Sequence, residues 1–421
     1  MSAKKYNVSL FDLTMCFSDA MDLISPVVVD HHKKVALIAD YLGEEINLPP
    51  EKQMATILSG LLHDSGAISL KERINALQFE LETPHQHSEM GYLLLNDFPH
   101  YKNIAAIIRY HHASYEETKG DPKIPIESHI IHLADRISVL IKSNEPVLTQ
   151  KQNVVDKINA KKGKLFDPEI VEVFENISEK ESFWLDISSH KINELLASRA
   201  EQTSEIVNLD INGLLDIGRL FKRVIDFRSA FTSTHSSGVA ASAEAIARQI
   251  GFSNLEQLEM RLAGFLHDLG KLAVPKEILE KPGKLTSEEY RVIKTHTYHT
   301  YRTLERIPEL NTVKEWGAYH HEKLNGKGYP FRCSKDELTL GSRIMAVADV
   351  FTALTEERPY REGLGKEKVR DIISEMVEGK ALDSGVVEIL FNNFQEINEL
   401  RAEAQDLSRQ EYHDLPAVYG N

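Results

Sequence analysis

Two cysteines, Cys16 and Cys333, are all that 421 residues contain. A disulfide framework is excluded, and a reducing compartment is expected. No stretch approaches the roughly 18 uninterrupted apolar residues of a membrane span. The opening MSAKKYNVSLFDL lacks the long apolar core of a secretory signal. Positive charge is short as well: 49 Lys and Arg face 64 Asp and Glu, a formal net charge of −15. Broad electrostatic binding to duplex nucleic acid is therefore not expected, although a small anion can still meet locally positive groups. These absences point to a cytoplasmic protein with no membrane partner. What the chain has in excess is histidine, at 18 residues.

The histidines mark a duplication. Shifted by 204 residues, His31 falls on His235 and the pair His63-Asp64 on His267-Asp268. With small insertions, His87 then matches His296, His111-His112 matches His320-His321, and Asp135 matches Asp349. Asp167 corresponds to Asp383 further on. A period this long means one ancient domain present twice, not a solenoid. The second copy is longer in two places. One addition contains the residues that follow HDLGK, and the other contains the loop HHEKLNGKGYP.

Apolar residues recur at helical spacing before each His-Asp pair: Met54, Ile57, Leu58, Leu61 and Leu62, then Leu258, Leu262, Phe265 and Leu266. Segments Val35–Leu42 and Ile344–Leu354 read the same way, and no series of alternating strands stands out. The fold class expected is all-α, in two tandem helical domains. Gly66 and Gly270, two residues after each pair, read as helix stops. The expected divisions are an N-terminal domain over 1–190, a helical connector over 191–206, a second domain over 207–400 and a polar tail over 401–421.

Imidazole and carboxylate suit iron, manganese, nickel, cobalt or zinc. His235, His267, Asp268, His296, His320, His321 and Asp349 make seven candidate ligands, more than one ion needs. Two divalent ions sharing Asp268 would use them all. Such a pair activates water and neutralises phosphoryl oxygens. A lone histidine on a helix is usually a packed or solvated residue, but a repeated array that keeps both type and register is hard to explain as packing. The complete array leaves the second copy near +1 with two ions and a hydroxide, a setting for an anionic substrate.

The array H…HD…H…HH…D, with HDLGK, HHEKLNGKGYP and DVFTALTEERPYR, resembles the HD-GYP subgroup of the HD metal-dependent phosphohydrolases over roughly residues 210–400. Residues 1–190 resemble a plain HD domain. The resemblance implies two tandem HD-type helical domains and hydrolysis of a cyclic dinucleotide, cyclic di-GMP or the mixed cyclic GMP-AMP. It implies two divalent ions, iron or manganese before nickel, cobalt, magnesium or zinc. His235, His267, Asp268 and Asp349 would surround one ion, and Asp268, His296, His320 and His321 the other. Lys271 would reach the scissile phosphate or protonate the leaving oxygen. Arg358 and Arg361 would grip phosphate oxygens through their planar forks. Gly326 and Gly328 would let the loop fold back so that Tyr329 meets base or phosphate. Three departures stand out: Asn325 in place of Asp, which loosens a loop interaction; Phe231 in place of a Glu that would serve a third metal; and His299-Thr300 in place of Ile-Gly.

The first copy keeps His31, His63, Asp64, His87, His111, His112 and Asp135, a second candidate metal site, with His32 as a neighbour of the ligand His31. It lacks the lysine, since Ala67 stands there, and it lacks Gly-Tyr-Pro. A supporting or regulatory role is expected of it. Two alternatives remain open for the whole chain: a cyclic dinucleotide receptor without turnover, or a general HD nucleotide phosphohydrolase. The sequence also leaves room for a homodimer.

Overall fold

The computed structural model describes residues 4–24, 30–67, 76–79, 85–142, 144–201, 206–228, 234–357 and 362–414. Helices dominate the described residues. The only strands among them, Tyr6–Ser9 and Ile206–Leu209, pair with each other. No helix among them is long and apolar enough to cross a membrane. The all-α expectation holds.

The chain divides into two compact units. One is Ser9–Val207; the other is Asn208–Asn421 together with the N-terminal stretch that ends at Val8. In the latter, the buried Tyr6 hydroxyl donates to Glu259 at 2.6 Å, and Lys4 pairs with the same carboxylate at 2.9 Å.

Each unit builds its core from helices in the same order. In the first these are His31–Glu45, Pro50–Leu62, His85–Asn96, Lys102–Arg109 and Ile126–Leu140. In the second they are His235–Ile250, Asn254–Leu266, Ser287–Leu304, Asn311–Ala318 and Leu340–Thr355. Val35, Ile38 and Leu42 line the inner face of one helix, and Ile57, Leu58 and Leu61 that of the next, all at most 2% exposed. Each such side chain contributes roughly 1.5–3 kcal/mol by leaving water.

The crossing of the first two helices is equally close in both units. A Cβ on Gly60 would lie 2.5 Å from Ala36 Cα, and one on Gly264 would lie 2.4 Å from Ala240 Cα. Only glycine permits this approach, which brings the first histidine of each array to the His-Asp pair.

Local signals set the helix starts. Ser253 with Glu256 and Thr286 with Glu289 form capping boxes, satisfying amides the helix cannot. The matched Asp167 and Asp383 are N-caps, accepting from the amides of Glu169 and of Gly385 and Val386. Their correspondence is therefore architectural.

Within the stretch 191–206, the helix Ile192–Ala200 buries Ile192, Leu196 and Ala200 in the first unit. Arg199 ties it to Asp40 and Glu44. Beyond residue 400 the chain continues as the helix Phe394–Asp414. One stripe of its polar residues, Arg401, Gln405 and Ser408, faces inward, while Glu396, Glu399, Glu403 and Asp406 are exposed. Ser408 accepts from the buried Lys222, and Arg401 and Gln405 are buried too. Polarity here marks an internal hydrogen-bond network, which composition alone cannot distinguish from a solvated tail.

Candidate metal centres

In the second domain the array converges from five places. His235 opens the helix His235–Ile250. His267 ends Asn254–Leu266 while still in right-handed helical conformation, and Asp268 precedes a 3-10 turn, Leu269–Ala273. His296 lies within Ser287–Leu304, Asp349 within Leu340–Thr355, and His320-His321 follow Asn311–Ala318. Two donor groups result, His235 with His267 and Asp268, and His296 with His320 and His321. Within each group the donor atoms lie within 4.8 Å of one another.

Asp268 faces both groups, with one oxygen each. Oδ2 is 3.0 Å from His267 Nε2, and Oδ1 is 3.4 Å from His296 Nε2. Asp349 likewise spans them, Oδ1 at 3.2 Å from His235 Nε2 and Oδ2 at 3.8 Å from His321 Nδ1. Lys271 Nζ rests 2.6 Å from Asp268 Oδ2.

The hydrogen bonds fit this donor set to cations. Nδ1 of His267, His296 and His320 each donates to the carbonyl three residues earlier, at 2.6–2.7 Å. That fixes the tautomer and leaves the Nε2 lone pair facing inward. His296 Nε2 and His320 Nε2 then meet at 3.3 Å. His267 Nε2 and Asp268 Oδ1 are buried without any hydrogen-bond partner. Buried polar atoms left so are costly, and a bound cation resolves them. Burial pushes His296 down to about 3, so it stays neutral. Burial opposes ionisation of Asp268 and Asp349, yet His267 and Lys271 beside the first and His235 beside the second hold both carboxyls below the usual range. Neutral imidazoles and ionised carboxylates are the forms that bind metal.

The first domain repeats the geometry. Asp64 spans two histidines, Oδ2 at 3.5 Å from His63 and Oδ1 at 3.3 Å from His87. Asp135 Oδ1 lies 3.2 Å from His31 Nε2. The donor groups are His31, His63 and Asp135, and Asp64, His87, His111 and His112, all buried. Nε2 of His31, His63, His87, His111 and His112 have no hydrogen-bond partner. His32 turns instead to Asp22, with Nδ1 3.1 Å from Oδ1.

Comparison with known proteins places this constellation. A family model described as HD domain matches residues 28–140, and a second HD domain model matches residues 219–386. The 3'3'-cGAMP-specific phosphodiesterase 1 of Vibrio cholerae is 30% identical over 94% of each chain. The chain belongs to the HD-GYP phosphodiesterase family. The 3'3'-cGAMP-specific phosphodiesterase 3 of the same organism is 34% identical over 62% of this chain and 55% of its own. A cyclic di-GMP phosphodiesterase of Thermotoga maritima is 33% identical over 46% of this chain and 53% of its own. In fold, the chain is similar to the crystal structure of a V. cholerae cyclic GMP-AMP specific phosphodiesterase, V-cGAP3. The TM-score is 0.64 at 24% identity, covering 96% of this chain and 99% of that one.

Against the family pattern, several expected details change. Gly66 and Gly270 are not helix stops. Neither adopts a left-handed φ, and the helices have already ended at Leu62 and Leu266. A Cβ on Gly66 would lie 2.0 Å from the His87 carbonyl oxygen, and one on Gly270 would lie 1.9 Å from that of His296. Each glycine lets the His-Asp turn press against the helix that carries the next histidine. Thr300 strengthens that contact in the second domain, donating to His267 O at 3.0 Å and accepting from Gly270 N at 2.9 Å. Asn325 does not loosen its loop. Its amide donates to Gly379 O at 2.8 Å, a bond an ionised aspartate cannot make, and its oxygen accepts from Lys327 N at 3.0 Å.

The HD-GYP loop folds back as expected. Gly326 takes φ 68°, and the buried Glu322 accepts from the amides of Phe331, Arg332 and Cys333. The Tyr329 ring then lies 4.9 Å from His321, with Lys294 over it at 5.2 Å. Burial, then Tyr290 nearby, raises the Tyr329 phenol so that it remains a donor. Arg358, Arg361 and Phe231 lie outside the described residues.

One residue escaped the reading of spacing. Glu356, 3% exposed, places Oε2 3.0 Å from His235 Nδ1. Gln405 donates to the same oxygen at 3.2 Å and accepts in turn from Arg401. A carboxylate behind an imidazole makes its other nitrogen a stronger donor than a backbone carbonyl does. The first domain has only Ser138 Oγ there, 3.0 Å from His31 Nδ1. Glu356→Gln is expected to lower metal retention at the His235 group by about 10–100-fold, the usual scale for such partners. Elemental analysis after dialysis against a chelator measures this, and wild-type retention would remove Glu356 from the centre.

Proposed function

We propose that the second domain is a metal-dependent phosphodiesterase that opens a cyclic dinucleotide, 3',3'-cyclic GMP-AMP in preference to cyclic di-GMP, in cytoplasmic second-messenger signalling. Asp268 supports this most: one buried carboxylate faces two donor groups, in a chain similar along nearly its whole length to a cyclic GMP-AMP phosphodiesterase. His235, His267, Asp268 and Asp349 would hold one ion and Asp268, His296, His320 and His321 the other. Divalent ions bound there, iron or manganese in this reading, supply charge stabilisation at phosphoryl oxygens and activation of a water.

The chain's own groups do the rest. Water adds to phosphorus as the bond to the 3' oxygen breaks, giving a linear dinucleotide with a 5' phosphate; a second cut would release mononucleotides. Lys271, held 2.6 Å from the shared carboxylate, delivers the proton that the departing 3' oxygen needs. Tyr329 donates from the loop above His321 to a phosphate oxygen or base. Arg358 and Arg361 are assigned to the remaining phosphate oxygens. The first domain, which lacks these substrate groups, supports the second or binds a different nucleotide.

The experiment is a substrate panel. Protein purified without oxygen is assayed for metal, then offered cyclic GMP-AMP, cyclic di-GMP and cyclic di-AMP side by side. Cyclic GMP-AMP is expected to be cleaved fastest. Lys271→Ala should still bind it while turnover falls by about 10²-fold or more, the scale of a lost general acid. Unchanged turnover would remove Lys271 from the mechanism, and binding without turnover in the wild type would make the protein a receptor.

A further inference from the structure

The first domain carries a half-open cavity of about 380 Å³ that the reaction above does not use. His112 lines it, and His112 also belongs to the donor group with Asp64, His87 and His111. The cavity therefore opens onto the first domain's own candidate metal centre. In the second domain the corresponding histidine, His321, is instead met by the Tyr329 ring at 4.9 Å.

The walls differ from the second domain in a directed way. His132 lies three residues before Asp135 and Arg136 one after it; their counterparts beside Asp349 are Ala346 and Val350. His132 is 4% exposed, its ring 5.6 Å from that of His112, and its Nδ1 has no hydrogen-bond partner. Both ring nitrogens of His112 are equally unpartnered. Arg136 is 1% exposed and donates to Asp135 and to the Ala76 carbonyl, so it is a fixed positive charge in the wall. Lys161 and Lys164 add charge from a turn at the cavity's side, and Phe79 offers an apolar face. Glu116 and Glu117 line the cavity too, with Glu117 accepting from Ser114 at 2.6 Å.

We propose that this cavity binds a nucleoside monophosphate. The phosphate would lie toward His112, His132 and the lysines, where the positive charges of the wall meet unpartnered ring nitrogens. The glutamates would accept from sugar hydroxyls, and the base would lie against Phe79. The mixed charge of the wall disfavours bare phosphate. The volume stands at the small end of the range for ligand pockets, which suits one nucleotide better than a cyclic pair of them.

The test uses the full-length, metal-loaded chain and calorimetry with AMP, adenosine and inorganic phosphate. AMP is expected to bind more tightly than either of its parts. Lys161→Ala with Lys164→Ala should weaken AMP about tenfold, the scale of one charge-assisted hydrogen bond. His132→Phe, which keeps a ring in the wall but removes its nitrogens, should weaken that binding by a similar factor. Cyclic dinucleotide hydrolysis, measured on the same preparations, should be unchanged in the lysine pair. This separates the cavity from the second domain: a chain that fails to cleave cyclic dinucleotides can still lose AMP through these substitutions. Equal affinity for adenosine and AMP would remove the phosphate from the proposal. AMP affinity unaltered in both variants would remove the site.

Discussion

Asp268→Ala is expected to empty the second domain of metal and to lower cyclic dinucleotide hydrolysis by at least about 10³-fold, beyond the 10–100-fold cost of losing a residue that only orients a ligand from behind. The reason is that this carboxylate cannot be replaced from nearby. Its two oxygens are divided between His267 and His296, 3.0 and 3.4 Å away, and Asp349 is the other carboxylate that spans the groups. Its loss leaves Lys271 with no anion at 2.6 Å and removes one of the two carboxylates that offset the cations. Asp268→Asn should fall between wild type and alanine, since it keeps the shape and one acceptor but not the charge. Elemental analysis and turnover on the same samples decide the matter. An alanine variant that retains its full complement of metal would show that the two groups do not share this residue.

The array was legible because duplication prints it twice. A single histidine says little, but His31 and His63 repeat the spacing of His235 and His267, and only a shared three-dimensional frame preserves that. The glycines were legible as special positions but not in their role. A sequence shows that a residue has no side chain, not which carbonyl needs the space, and Gly270 meets a helix 26 residues further along the chain. Glu356 was hidden for a related reason. Its partners are His235, far upstream, and Gln405, in a segment whose polarity resembles a solvated tail. His132 could have been found: three residues before Asp135, it shares a helix face with a candidate ligand. The substrate arginines rest on sequence resemblance, and their part in phosphate recognition follows from chemistry alone.

Gly270→Ala tests whether the His-Asp turn and the next histidine form one mechanical unit. The added Cβ would lie 1.9 Å from the His296 carbonyl oxygen, 2.7 Å from its carbon and 2.8 Å from His299 Cβ. Two of these three atoms are backbone, so no rotamer change relieves the clash; the helix Ser287–Leu304 must move. Overpacking of this kind costs about 1–3 kcal/mol, and a backbone neighbour puts it at the upper end. At roughly 2–4 °C per kcal/mol for a domain of this size, the second domain should melt about 6–12 °C lower. Geometry should suffer more than stability. The same helix carries His296, whose Nε2 must stay near Asp268 Oδ1 and His320, and the shift also strains the Thr300 bonds to Gly270 and His267. Metal should therefore be lost from the His296 group before the His235 group, and hydrolysis should fail in protein that is still folded at room temperature. Gly66→Ala presents the same clash to the His87 carbonyl at 2.0 Å, and should lower first-domain melting by a similar amount. Wild-type melting and metal content in the Gly270 variant would mean that this contact does not position His296.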